Sequence, residues 1–298
     1  HGMFQSVYDY PYLSSSANHI FDLTAGYDES SPLSSSLNPV LRAKKINMYN
    51  QFSQVLLGYT GSTNEVRKFE SDLTLDGVGA MKEVVFVNLS RLLTKDEIKK
   101  GSVSIALGTA SWADPFAGLK TFTDSEASAT QGTLNTVGGD YGILTSSTSA
   151  EVGGVVFYQA GVMVLTSSIW AGTTDFFSQS VTSRTFDQQL VSGSISGSAD
   201  AFRHRMQNLQ FNNTTEINST VYFCRMPHNK YNYSSNPTYL NSGQVRVKNG
   251  NRQNPPISYV TTIGLYNSQN ELLAVAKLSE PLRKDPTNEL TLRVRLDY

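Results

Sequence analysis

Residues 290–297 read Leu-Thr-Leu-Arg-Val-Arg-Leu-Asp, a strict alternation of apolar and polar side chains. A period of two places Leu290, Leu292, Val294 and Leu296 on one face of a strand. Thr291, Arg293, Arg295 and Asp297 fall on the other. A helix would scatter both sets, so this stretch belongs in a sheet with one face covered and one wet. The same period recurs upstream. Val245 and Val247 alternate with Gln244, Arg246 and Lys248. Tyr259 to Tyr266 and Glu271 to Leu278 flank Asn267-Ser268-Gln269-Asn270, a hairpin signature. Thr220-Val221-Tyr222-Phe223-Cys224 reads as a further strand. Residues 211–298 are therefore expected to form an antiparallel β-sandwich.

Earlier stretches carry other patterns. Val155 to Leu165 is nearly unbroken apolar sequence, and its Gly and β-branched content favours a bent strand or a hairpin. Glu83-Val84-Val85-Phe86-Val87 reads as a buried strand and Val103 to Leu107 as a half-buried one. Between them, Thr94-Lys95-Asp96-Glu97 has the form of a capping box, which predicts a short helix stopped at Gly101. Met48, Phe52, Val55, Leu56 and Tyr59 share a helical face and predict a helix over 46–59. In 176–209, Phe176, Phe177, Val181, Phe186 and Leu190 are loosely helical, and Phe202, Met206 and Leu209 align. Two helices, or one broken at Gly193 and Gly197, are expected there. Residues 111–150 are rich in Ser, Thr and Gly, with a turn at Gly138-Gly139-Asp140, and suggest a long loop or short edge strands. Residues 3–45 hold no period and read as an extended amino-terminal arm.

The expected fold class is mainly β with a few helices (α+β), with a sandwich in the carboxyl-terminal part. The expected divisions are an arm over 1–45, a mixed α+β domain over 46–210 and the β region over 211–298. An alternative joins that last region to 83–170 in one fold. At 298 residues, such a chain can bury a real core without disulfides. No internal repeat is evident.

Charge and composition exclude several function classes. Lys and Arg number 24 against 25 Asp and Glu, so the chain as a whole is not a polycation built for phosphate contacts. Only 16% of residues are charged, and Ser, Thr, Asn, Gln and Gly supply the remaining polarity. The single Cys224 excludes a disulfide framework and any multi-cysteine zinc site. No apolar run is long enough for a membrane helix. The amino end lacks a basic region followed by an apolar run, so synthesis in a cytoplasm is expected. His1-Gly2 ahead of Met3 reads as an expression scar.

Catalytic signatures are sparse. There is no Gly-x-Ser-x-Gly elbow. Cys224 lies inside a strand pattern and reads as an inert thiol. Beyond His1, histidine occurs at 19, 204 and 228; Cys224 and His228 lack a second pair for zinc. No EF-hand loop is read, and Asp114, Asp124 and Asp140 are scattered. Gly153-Gly154 precedes a strand, the wrong context for a nucleotide phosphate. Asp114, Asp140, Glu151 and Asp175 read as solvated loop acids rather than a glycosidase pair. Arg203, His204 and Arg205, the cluster Arg246, Lys248 and Arg252, and the Arg293–Arg295 face read as solvated surface. Asn213 and Asn218 head chance glycosylation sequons. No enzyme activity, cofactor, metal, nucleic-acid contact or membrane is expected.

What remains is a weakly charged polar surface with exposed aromatics, suited to subunit contacts. Interface anchors are expected at Phe4, Tyr8, Tyr10 and Tyr12 in the arm. A second set is expected at Tyr231, Tyr233, Pro237 and Tyr239 in a loop. Three stretches carry a resemblance: Met3-Phe4-Gln5-Ser6-Val7-Tyr8-Asp9-Tyr10-Pro11-Tyr12, Val155-Val156-Phe157-Tyr158-Gln159-Ala160-Gly161, and Asn212 to Tyr298. Within the last, Val221 to Arg225, Tyr233 to Tyr239, Thr261 to Tyr266 and Ala274 to Ser279 are the most distinctive. Together they resemble virion structural proteins of tailed phages, particularly marine T4-like myoviruses of cyanobacteria and their relatives. That resemblance implies a place in the particle, tail or baseplate first, then neck or capsid. It implies other virion proteins and the chain itself as partners, in a symmetric ring or shell, and no chemistry. The alternative is a carbohydrate- or receptor-binding tail protein, with depolymerase activity as an option and Trp112 and Trp170 as stacking residues.

Overall fold

The computed structural model describes residues 2–10, 16–35, 38–61, 63–128, 132–179, 182–234, 236–237, 240–242, 244–245, 253 and 256–298. The chain is mainly β and divides into two units, residues 1–215 and residues 216–298.

The first unit opens with β1 (Gln5–Tyr8), β2 (His19–Tyr27), α1 (Pro39–Leu56), β3 (Glu83–Leu89), α2 (Arg91–Thr94) and β4 (Glu97–Ile98). It continues with β5 (Ser104–Gly108), β6 (Leu119–Thr123), β7 (Leu134–Thr136), β8 (Gly139–Ser146), β9 (Val152–Phe157) and β10 (Val162–Thr166). It closes with β11 (Phe177–Gln179), β12 (Thr182–Arg184), α3 (Phe186–Ser192), α4 (Ile195–Arg205), β13 (Met206–Gln210) and β14 (Asn213–Thr214). Ten of these strands form one antiparallel sheet in the order β1-β2-β3-β10-β9-β8-β6-β5-β13, with β7 added on β8.

The centre of this sheet is buried on both faces. Val85, Val87, Val156, Met163 and Leu165 point to one core, with Trp170, Phe176, Phe186, Leu190 and Phe202. Val84, Phe86, Val155, Phe157, Val162 and Val164 point to the other, with Tyr49, Leu56 and Phe69. That is why these strands read as continuous apolar runs rather than alternations. The sheet curls into a half-barrel. α4 packs against β2 and touches both edge strands, β1 and β13. The expected hairpin over 153–166 is β9 and β10, paired Val155↔Val164. Gly154 sits at φ +153°, and a Cβ there would lie 2.0 Å from the Val164 carbonyl oxygen, so only glycine fits.

Several expectations need correcting. The amino-terminal region is not an extended arm throughout. β2 is a nine-residue strand of the sheet paired with β3 from Phe21↔Leu89 to Tyr27↔Glu83. Its sequence hides this because Leu23, Ala25 and Tyr27 face one way and Thr24 and Gly26 the other, all buried. Gly26 is needed where α1 crosses; a Cβ would meet the Lys45 carbonyl at 2.6 Å. α1 starts at Pro39, capped by Asn38, whose side chain accepts the Leu41 N–H. Its buried stripe is Lys45, Tyr49, Ser53 and Leu56, while Val55 and Tyr59 are exposed. Thr94 ends the one-turn α2 instead of starting a helix. Residues 139–146, expected as loop or edge, are the long strand β8. Residues 177–179 and 182–184 form the small ribbon β11–β12, Val181 lies outside the described residues, and helix begins only at Phe186. Two helices follow, separated at Gly193-Ser194, and Gly197 lies inside α4.

The second unit contains β15 (Ser219–Met226), β16 (Leu240–Asn241), β17 (Gln244–Val245), β18 (Ser258–Tyr266), β19 (Leu272–Lys284) and β20 (Leu290–Asp297). β15 pairs antiparallel with β20, β16 with β17, and β18 with β19. Leu290, Leu292, Val294 and Leu296 are half-buried and their neighbours exposed, as the alternation requires. β18 and β19 flank the turn at 267–270.

Candidate interface surfaces

Buried polar groups in the first unit serve the fold. Lys45 has no exposed surface; its ammonium donates to the carbonyls of Leu190 and, at 2.7 Å, Gly193. It thereby satisfies the open end of α3. Burial without a carboxylate pulls its pKa down to about 8. Arg205 donates to four carbonyls, those of Phe176, Gly108, Ala110 and Asp175, and lies over the Phe176 ring. Burial pulls its pKa down to about 10, and Asp175 opposes the shift. Asp124 accepts the backbone N–H groups of Gly101 and Val103 and the Tyr158 hydroxyl. Burial, followed by the Asp124 charge, pushes the Tyr158 phenol up. None of these groups lines a described cleft.

Three of the four acids expected in loops are likewise engaged by other groups. Asp140 pairs with Lys100 and accepts from Asn135; these bonds, led by Lys100, hold its carboxyl below the usual range. Glu151 pairs with Lys120 at 2.8 Å. Asp175 accepts the Trp112 N–H at 3.3 Å. Asp114 is exposed. Cys224 is on the half-buried face of β15. Among the described residues no group of three or more His, Cys, Asp or Glu is placed to hold a metal ion.

The two tryptophans separate. Trp170 is 1% exposed, stacks on Phe186 at 5.2 Å and donates its indole N–H to the Gly108 carbonyl. It is a core residue, which corrects its reading as a glycan-stacking platform. Trp112 is half-buried between Phe177 and His204. Arg203 pairs with Asp200 on the surface of α4, and Arg205 is buried, so that basic group is not one surface.

The expected aromatic anchors lie at the surface where they are described. Phe4 and Tyr10 flank β1 and are exposed; Tyr8, at its end, packs edge-on against the His19 ring. Tyr231, Tyr233 and Pro237 are exposed in the segment after β15. Tyr12 and Tyr239 lie outside the described residues, as do Arg246, Lys248 and Arg252.

Other surface features leave no signal in the sequence. Among the described residues of 216–298, only Lys284 and Asp285 are buried. Lys284 donates to the His228 carbonyl, the Asn232 side chain and the Asp285 carbonyl. Every described apolar side chain of this unit keeps solvent contact. Phe223 is 69% exposed in mid-strand, and Tyr259, Tyr266, Leu273 and Val275 are also exposed. A polar cleft of about 500 Å³ in the first unit is lined by Asp28, Glu29, Ser30, Asn50, Glu65 and Lys68, among others. Burial raises the Asp28 carboxyl, but hydrogen bonds from Ser30 and Lys68 outweigh it and keep the group below its ordinary pKa. The cleft is therefore anionic at neutral pH.

Comparison with protein-family models, with curated proteins and with solved structures gives no match to this chain.

Proposed function

We propose that this chain is a structural subunit of a tailed-phage particle, acting by assembly and not by turnover. The observation that carries the reading is the second unit, in which no described apolar side chain is fully buried. An 83-residue domain that folds for itself buries an apolar centre. This one keeps its apolar side chains partly wet, as a surface completed by a partner does.

The resemblance of residues 3–12, 155–161 and 212–298 to virion proteins supplies the setting, tail or baseplate first. The carbohydrate-binding reading retains Trp112 alone of its two stacking residues. Quantitative mass spectrometry of purified particles from the phage encoding this chain tests the proposal. A fixed copy number greater than one per particle is expected; absence from the particle overturns it.

A further inference from the structure

The near-zero net charge conceals a division between the units. Residues 216–298 carry ten Lys and Arg against six Asp and Glu, while residues 1–215 carry fourteen against nineteen. The division is also local. In the first unit, residues 28–29 and 65–83 hold seven carboxylates against three cations. These segments adjoin, because the Asp28 N–H donates to the Lys82 carbonyl at 2.8 Å and Lys68 pairs with Asp28 at 3.2 Å. Their cleft beside α1 includes Glu29 and Glu65, both exposed. Neither carboxylate has a hydrogen-bond or ion-pair partner among the described residues.

The counterpart is the outer face of the β15–β20 ribbon. Its register sets Phe223 opposite Arg293 and Val221 opposite Arg295. Arg225 and Arg295 are engaged by Glu289 and Asp297. Arg293 has no carboxylate partner among the described residues and stands beside the exposed Phe223. An aromatic side chain next to an unpaired arginine is the composition of an interface anchor.

We propose that this face of one copy docks into the acidic cleft of the next, so that the chain assembles head to tail. The inference rests on the assembly reading and names the partner as a second copy of the chain. Two β15–β20 faces meeting each other would set arginine against arginine, which disfavours a symmetric pairing of like surfaces. Donor and acceptor are different surfaces, so the contact is heterologous and generates a ring or an open stack.

Sedimentation velocity of the intact chain tests this. The wild type should form oligomers at about 50 mM salt and weaken as salt screens the contact. Phe223→Ser should sediment as a monomer with an unchanged melting temperature. Arg293→Glu should weaken association at least about tenfold. The Glu29→Lys, Glu65→Lys double variant should also be a monomer. Mixing Phe223→Ser with that double variant restores one intact contact, so a one-to-one dimer that grows no further is expected. A wild type that stays monomeric at every salt and concentration overturns the proposal, and particle mass spectrometry then decides separately whether the chain is a virion component. An oligomer that all these variants leave intact also overturns it.

Discussion

Val155, Val156, Val162 and Val164 on β9 and β10 are buried whichever way they point; no leucine on β20 is fully buried. Both regions are antiparallel β structure, yet one is closed by helices and loops on both faces, while the other leaves its apolar atoms in contact with water. The first unit holds its shape through its own core. In the second, burying those side chains in a contact would be favourable, as the proposed assembly requires. That contrast, more than any single residue, separates the scaffold from the surface proposed to assemble.

The largest effects should arise in the scaffold. Phe86 stacks on Phe52 at 4.2 Å and contacts the Tyr49 and Phe69 rings. Phe86→Ala should cost about 3–5 kcal/mol of unfolding free energy in denaturant melts. Leu292→Ala in the second unit should cost about 1 kcal/mol in the dilute chain, because the side chain is only half-buried. Equal losses from the two substitutions would erase the contrast.

Arg205→Met comes next. It leaves four carbonyls without their shared donor and should cost about 3 kcal/mol, read by thermal denaturation.

Lys45 gives a pH signature. Its native pKa, about 8, lies below its ordinary value of 10.5. The unfolded chain therefore binds the proton more tightly between these values, and stability rises with pH across that interval. Below about pH 8 the penalty is fully present. Relative to Lys45→Met, the wild type should gain up to about 3 kcal/mol between pH 7 and pH 10. A flat difference would show that the ammonium is better solvated than its carbonyl cage implies.

Deletion of residues 3–16 gives the smallest and most diagnostic effect on the second unit. The arm reading expects lost incorporation with the fold intact. β1, however, is an edge strand paired Gln5↔Leu23 to Tyr8↔His19, and the Met3 carbonyl accepts from Thr24. The deletion should therefore lower the melting temperature of the first unit and leave the second unchanged.

The legibility of the sequence follows the same contrast. β20 and the β18–β19 hairpin could be read directly, because a half-covered strand displays its period. β9 and β10 could be read as an apolar run, but not by period, since both faces are dry. β2 shows no period for the same reason, with glycine, threonine and alanine in place of large side chains. The buried face of α1 is not legible from hydropathy because Lys45 and Ser53 belong to it. Their partners, Leu190, Gly193 and Arg67, are set by tertiary structure. Lys45 lies 145 residues from Leu190, and no window of hydropathy registers that. The charge division was present in the sequence but cancelled in the total, and only the boundary at 215 makes it countable.

Hydrogen exchange on the intact chain across a dilution series tests the central claim most directly. Residues 84–87 and 162–166 should be protected at every concentration. Residues 219–226 and 290–297 should exchange rapidly in the dilute chain and gain protection as it associates. Protection of 219–226 and 290–297 equal to that of the central strands in the dilute monomer would contradict the account.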